Sequence, residues 1–410
     1  MKIVIITNLF PPEFIGGYEL LILEIAAMLS KKGHDIVVAT TPLINHHENN
    51  TSTEYQVRRI LHNTGLSLDP PDGSRLLKRT YIDMSNIAAI RNLLEEVQPD
   101  RIMLGNIDGI GGLGIICYLH ECGYKTVLYL ADNPFQEITQ TNEIWECFNK
   151  LYRADRALQN LAIIALSEGI VQETVHTLSS KLGREHYIPG TVRAEEETIN
   201  ESTKNTAITR FVFSSRVAPH KGIHIMLEAA KKLVELGETD FQIDVFGGGN
   251  IPDLIQKAHA FGLKEQVKYV GLVERLEMIE RYREYDGLLF PTWMREPLGL
   301  VAIEAAAKGC IPIITAQTGA AEWLHTSDCI KIERTAEGLA GGMQRVMYMT
   351  PDERQSMGNN LKKNIKKYFA EDRWHPRIEE VLMNQRQPNK KVNLRAVEDA
   401  FFAILRMWRG

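Results

Sequence analysis

Glu296 and Glu304 close the segment Glu296-Pro-Leu-Gly-Leu-Val-Ala-Ile-Glu304, two carboxylates eight residues apart. The first falls on a Pro/Gly turn and the second inside an apolar run with helical character. Just upstream, Asp286-Gly-Leu-Leu-Phe-Pro291 reads as a buried strand that stops at a proline. Strand, turn and helix start would aim Glu296 and the backbone N–H groups of residues 298–300, Gly299 and Leu300 among them, at one point. That point suits a diphosphate or a sugar hydroxyl. Glu304, about one helical turn further in, would reach a neighbouring polar group such as a ribose diol. Two glutamates at this spacing are, by themselves, more often solvated residues beside an ordinary helix start. Their neighbours in sequence decide the matter.

Ser214-Ser-Arg216 and Lys221-Gly222 follow an apolar segment, Arg210-Phe-Val-Phe-Ser214, and precede a helical pattern carrying Ile225, Leu227, Ala230 and Leu233. A planar guanidinium and a compact ammonium five residues apart at a strand end suit the two phosphates of a nucleoside diphosphate. A solvated basic loop is the plainer account of the same pair. Ile243-Asp-Val-Phe-Gly247-Gly248-Gly249 runs a strand straight into three glycines, which read equally as a close approach of a ligand to bare backbone or as a tight turn. Thr318-Gly319-Ala-Ala-Glu322 is a further glycine turn opening a helix.

The elements that must position these groups follow from periodicity. Residues 2–7 form a continuous apolar run, residues 18–32 a helical pattern closed by Lys31-Lys32-Gly33, and residues 35–40 the next apolar strand. Strands recur at 101–104, 126–130 and 162–166. After a polar, acidic, aperiodic stretch at 194–206, a second series runs through 210–214, 243–246, 267–270, 287–290 and 311–314. Alternation of this kind predicts an α/β protein of two doubly wound, Rossmann-like domains, at residues 1–193 and 207–372, facing a cleft. Amphipathic segments at 373–382 and 397–408 predict helices over 373–410 that cross back to the first domain. A length of 410 residues fits two cores of roughly 150–200 residues each. The net charge of −5 and the lack of a dense basic stripe argue against nucleic acid as a partner. Five cysteines without a C-x-x-C pair suit a reducing compartment. No apolar run nears the roughly 18–20 residues of a membrane span, and the start reads as a strand rather than a signal peptide, so the expected location is the cytoplasm.

In this order and spacing the motifs resemble the GT-B-fold glycosyltransferases of family 4, and the resemblance covers nearly the whole chain. Phe10-Pro-Pro-x3-Gly16-Gly17 is similar to the family's acceptor-side loop. Ala154-Asp-Arg-x10-Ser167 and Ile188-Pro-Gly-Thr-Val192 are similar to the end of its first domain. Arg216 and Lys221 match its phosphate-binding pair, and Glu296 and Glu304 its E-x7-E pair. The resemblance implies a hexosyltransferase-type enzyme that moves a sugar from a UDP- or GDP-sugar to a glycan or lipid-linked acceptor hydroxyl with retention, in polysaccharide or glycoconjugate synthesis. It implies that Arg216 and Lys221 hold the departing diphosphate, Glu296 meets the donor sugar, and Glu304 the ribose hydroxyls. It also places Gly17 at the donor and acceptor. Two positions depart from the family. Where a His-Asp pair is usual, this chain has Ala131-Asp132, so Asp132 is the candidate to take the histidine's contact. Where a glycine precedes the arginine, it has Ser215.

Gly109-Ile-Gly111-Gly-Leu-Gly114 carries a rival signal, the spacing of a dinucleotide fingerprint, with Asp132 about 20 residues on. Four residues separate its first glycine from the preceding strand, and it does not open the first β-α-β unit, so a glycine-rich loop packing a helix on the sheet is expected instead of an NAD site. No D-x-D pair or clustered histidines offer metal ligands, His46-His47-Glu48 reading as a solvated loop. No resident cofactor or metal is expected, the Arg216–Lys221 pair serving in a cation's place. Arg58, Arg59, Arg75, Lys78 and Arg79 put five cations within 22 residues, a surface for peripheral contact with the inner face of a membrane or simply a solvated face. A catalytically silent nucleotide-sugar-binding protein would keep the same fold. The intact residues 216, 221, 296 and 304 speak for the enzyme.

Overall fold

The computed structural model describes residues 1–13, 16–43, 54–65, 73–140, 142–191, 208–292, 296–384 and 393–409. The stretch 46–50, Val192 and the polar segment 194–206 lie outside the described residues. The chain forms two compact units, one of residues 1–188 and 375–410, the other of residues 189–374.

The first unit is built on a seven-stranded parallel sheet: β1 (Lys2–Ile6), β2 (Asp35–Thr40), β3 (Gln56–Arg59), β4 (Arg101–Leu104), β5 (Thr126–Leu130), β6 (Ala162–Ala165) and β7 (Arg184–Tyr187). Their spatial order is β3-β2-β1-β4-β5-β6-β7. The central strands are continuous apolar runs because helices cover both faces, and β4, β5 and β6 are buried almost throughout. The edge strands β3 (QVRR) and β7 (REHY) are polar and largely exposed, β3 alternating along its length, as strands with an open edge can be. Hydrophobic periodicity passes over both of them.

The C-terminal helices Glu371–Met383 and Leu394–Arg409 lie mostly within this unit. Phe401 and Leu405 join its core. The Tyr118 hydroxyl donates to the Leu394 carbonyl at 3.1 Å, and the Tyr118 ring meets Phe401 edge-on with centroids 5.7 Å apart. Glu379 accepts from Lys32 Nζ at 2.5 Å and lies 2.9 Å from His34 Nε2. Arg101 donates to the carbonyls of Leu382 and Met383 at 2.9 and 3.1 Å, which fastens the end of the first of these helices beside β4.

The second unit carries six parallel strands: β8 (Thr209–Ser214), β9 (Phe241–Phe246), β10 (Val267–Gly271), β11 (Gly287–Phe290), β12 (Ile311–Thr315) and β13 (Ile330–Ile332), in the order β10-β9-β8-β11-β12-β13. The chain works outward from β8 to β10, then returns to the other side of β8 to lay down β11 to β13. That reversal makes β8 and β11 neighbours, registered Gly287 to Phe211 and Leu288 to Val212. Doubly wound sheets bind ligands where the strand order reverses, at the carboxyl ends of the two strands concerned. The loops leaving β8 and β11 carry Arg216, Lys221 and Glu296. In the first unit the corresponding reversal lies between β1 and β4.

Candidate active site where the second sheet reverses

Three backbone approaches hold the loop after β8 in place. Gly222 adopts φ +77°, and a Cβ there would stand 1.9 Å from the Pro291 carbonyl oxygen at the end of β11. Only glycine lets the Lys221–Gly222 turn sit on that strand end. Thr292 Oγ1 donates to the His220 carbonyl at 3.1 Å, and Thr315 Oγ1, at the end of β12, donates to the Thr292 carbonyl at 3.3 Å. The exits of β11 and β12 are thereby tied to the loop that presents Lys221.

On the other side, Gly247 and Gly249 meet the same loop. A Cβ on Gly247 would come within 2.0 Å of the Ser215 carbonyl, and one on Gly249 within 2.3 Å of that of Val217. The close neighbour of these two glycines is therefore the chain's own backbone, joined by Val217 N–H to Gly248 O at 2.8 Å. At Gly248 a Cβ would meet nothing within 4 Å, so this is the glycine that leaves open space beside the loop.

Lys221 Nζ and Glu296 Oε2 stand 2.5 Å apart, with 16% and 22% of their side chains exposed. The two site residues, 75 positions apart in sequence, thus meet as a half-buried ion pair. Arg216 is exposed, and among the described residues no carboxylate pairs with it. His220 lies close enough to feel both cations. Burial first, then Lys221 and Arg216, hold its imidazole below the ordinary histidine range.

Gly299 takes φ +83° as the residue before the helix Leu300–Ala307. Among the described residues the N–H groups of Leu298, Gly299 and Leu300 donate to no acceptor within the chain. They are left as donors at a helix start, two to four residues after the glutamate that pairs with Lys221. The carbonyls of the same turn are occupied instead: Gly319 N–H donates to Glu296 O at 2.8 Å and Ala320 N–H to Leu298 O at 2.6 Å. A Cβ on Gly319 would fall 1.8 Å from the Pro297 carbonyl oxygen. The Thr318-Gly319 turn, weak as a sequence motif, is what fixes the backbone under Glu296.

Glu304 points elsewhere. Its side chain is 5% exposed, and Oε1 accepts from Arg275 Nε at 2.8 Å and lies 2.6 Å from Nη2 in an ion pair. The two glutamates therefore have different partners, one a lysine of the β8 loop and the other an arginine 29 residues upstream. No local pattern in the sequence links residues 275 and 304, so periodicity has no way to pair them.

In the first unit Gly17 opens the helix Gly17–Lys31, and the N–H of Gly16 donates to Glu19 Oε2 at 3.0 Å. The buried Tyr18 hydroxyl donates to the Tyr129 carbonyl near the end of β5, which fastens this helix start next to the turn carrying Asp132. Burial carries the Tyr18 phenol well above its ordinary pKa, and it stays protonated as a donor. Asp132 is exposed and accepts from the N–H of Asn133 at 2.8 Å. Asn133 itself is buried, donating to Thr177 Oγ1 at 2.9 Å.

The glycines at 109–114 have their space taken by protein. A Cβ would come within 2.2 Å of Asn63 Oδ1 at Gly109, 2.4 Å of the Asp83 nitrogen at Gly111 and 2.7 Å of Ile82 Cγ1 at Gly114. The Gly111 N–H is already given to Arg79 O at 2.8 Å. This loop packs a helix closely, with no cradle for a pyrophosphate. Several of the cations grouped as a surface also have internal partners. Arg58 pairs with Glu96, Arg79 with Asp108 and Glu137, and Arg59 donates to the carbonyls of Thr41 and Pro11, each at 3.1 Å. A hollow of about 870 Å³ beside the helix Ile223–Glu235 holds Lys231 and Lys232, matched by Glu235 and Glu337.

Residues 194–364 match the family described as Glycosyl transferases group 1. The chain is 21% identical over 397 residues to an uncharacterized glycosyltransferase of Methanocaldococcus jannaschii, covering 91% of this chain and 95% of that relative. Among solved structures it is similar to sucrose-phosphate synthase from Thermosynechococcus elongatus, with a TM-score of 0.73 at 16% identity over 93% of this chain and 98% of that one. It is similar also to Anabaena HepE in complex with UDP and glucose, with a TM-score of 0.66 at 17% identity over 93% of this chain and 99% of that one. No helix among the described residues is long and apolar enough to cross a membrane. The two parallel Rossmann-like sheets share the GT-B fold of these solved structures, and the residues that match the Glycosyl transferases group 1 family lie within the second unit.

Proposed function

We propose that this protein is a retaining glycosyltransferase of family 4 that moves a hexose from a nucleotide sugar to a saccharide or lipid-linked saccharide hydroxyl, without a metal. The observation that carries the proposal is the convergence of Lys221, Glu296 and the undonated N–H groups of residues 298–300 where the second sheet reverses. Lys221 and Arg216 take the diphosphate, and the amides of residues 298–300 complete its cradle. Negative charge grows on the leaving phosphate oxygen in the transition state, so fixed cations stabilise that state more than the ground state. Glu296, released from Lys221 as phosphate arrives, meets the sugar. Glu304 takes the ribose hydroxyls. Gly17 and Asp132 belong to the acceptor side, and Asp132 or the departing phosphate accepts the acceptor's proton.

The test is a thermal-shift panel of UDP-, GDP- and ADP-sugars, followed by turnover with the donor that stabilises most and chromatography of the product anomer. A single preferred donor and a retained linkage are the expected results. An inverted linkage would defeat the family assignment, and donor binding without turnover on any saccharide acceptor would favour a silent binding protein.

A further inference from the structure

Glu304 lies in a helix whose neighbouring residues Ala302, Ile303, Ala305 and Ala306 are fully buried. A carboxylate in such a place is costly unless paired and hydrogen-bonded. Arg275 supplies both needs in an uneven way. Its Nε donates to Oε1 at 2.8 Å, and its Nη2 stands 2.6 Å from that same oxygen as an ion pair. Among the described residues Oε2 accepts no hydrogen bond. A fork that closed on both oxygens would use up the carboxylate's inward lone pairs, whereas this one leaves a whole oxygen with its acceptor capacity intact. The nearby Tyr282 hydroxyl is hydrogen-bonded to Ser214 Oγ at 2.6 Å. Arg275 opens the helix Arg275–Arg281 and is 37% exposed, so its guanidinium reaches the pair from the solvent side while its partner stays inside.

We propose that Arg275 is a positioning residue of the donor site, taking one oxygen of Glu304 so that the other is held, charged and aimed, for the ribose hydroxyls of the nucleoside diphosphate. The inference rests on the assignment of Glu304 to the ribose. Discrimination between a ribonucleotide and its 2′-deoxy counterpart then depends on Arg275, although Arg275 need not touch the ligand. Lysine, with a single compact charge, keeps the pairing but not the fixed geometry of the guanidinium on Oε1, and so rescues in part.

Calorimetry on the full chain with UDP, GDP and ADP and their 2′-deoxy forms tests this. For whichever base binds, the parent should prefer the ribonucleotide roughly tenfold or more, the scale of a hydrogen bond to a charged acceptor. R275A should bring the ratio close to one, R275K should sit between, and E304Q should also lose it. In the R275A/E304Q double variant the ratio should fall no further than in E304Q, since both substitutions remove one interaction. A parent ratio lost in E304Q but kept in R275A and R275K would overturn the role of Arg275 and leave Glu304's standing. A ratio near one in the parent, or one that survives E304Q, would overturn the ribose assignment and this inference with it. If R275A does not fold, R275K and R275Q carry the same comparison, and a full ratio in both overturns the proposal.

Discussion

Two exits from parallel strands, one in each unit, turn into a helix at a glycine and differ in what they face. After β4, Gly109, Gly111 and Gly114 are pressed against Asn63, Asp83 and Ile82, and the loop's amide at Gly111 is already donated. After β11, Gly299 turns the chain into a helix whose first N–H groups meet no acceptor among the described residues, two to four positions after Glu296, which pairs with Lys221. A glycine spacing reports only that something comes close to the backbone. Whether that something is protein or ligand depends on residues distant in sequence, and the first loop is filled from residues 63–83 while the second is left open.

The contrast breaks most readily at the cations. Lys221→Ala and Arg216→Ala should each lower turnover on the order of 100- to 1000-fold and weaken nucleoside diphosphate binding. Circular dichroism should stay unchanged. Equal diphosphate affinity in variant and parent would show that the second loop is no more a phosphate site than the first.

The glutamates sharpen the contrast by separating two kinds of contact. Glu304→Ala should raise the donor KM more than it lowers kcat, because a ribose contact serves ground and transition states alike. Glu296→Gln should lower kcat with little change in donor affinity. Each effect should fall within roughly 10- to 150-fold, and the reverse pattern would recast the pair as a structural network at the helix start.

Substitutions at matched glycines come next. Gly111→Ala and Gly319→Ala both force a Cβ into backbone, 2.4 Å from Asp83 N and 1.8 Å from Pro297 O. Each should cost about 1–3 kcal/mol in denaturant unfolding. Only Gly319→Ala should also weaken nucleoside diphosphate binding, since it displaces the turn under Glu296. A loss of affinity in Gly111→Ala would mean the first loop does meet the ligand.

The smallest effect serves as a control on the first unit. Hydrogen bonds from Lys32 and then His34 hold the Glu379 carboxyl below the usual carboxylate range. The stability this adds is present above the unfolded carboxylate value, near pH 4.3, and is lost as the pH falls through the lower folded value. The Tm gap between the parent and Glu379→Gln should therefore be modest at pH 7 and close on acidification, with donor affinity unchanged. A gap that widens in acid would contradict it.

Much of this was legible in sequence wherever one local rule acted alone. Continuous apolar runs mark β2, β4, β5 and β11 to the residue, because strands buried on both faces need nothing else. The edge strands β3, β7 and β13 escaped because an edge tolerates Arg, Lys, Glu and His, and three or four residues are too few for a period to show. At the site, the loops after β8 and β11 could be named from their charges and glycines. What could not be read was pairing across sequence: Lys221 with Glu296, Arg275 with Glu304, Thr292 with His220 and Tyr18 with Tyr129. Gly247 and Gly249 show the same limit, since a strand running into glycines does not say that the visitor is the Ser215–Val217 backbone.

Residues 189–374 form an insertion within the first unit, which has all seven of its strands by residue 187 but takes Phe401 and Leu405 into its core. Time of synthesis therefore separates the two units. At about 5–20 residues per second, the stretch from 189 to 401 takes roughly 10–40 s, during which the second unit is completed while the first still lacks its last apolar cover. The side of the helix Gly112–Glu121 that meets Phe401 stays wet throughout. Ribosome-arrested chains stopped before residue 394 should show this as protease cleavage in the first unit, and equal protection with and without the final helix would refute it. Birth order and folding order are thus inverted here: the half of the molecule made first is the half finished last.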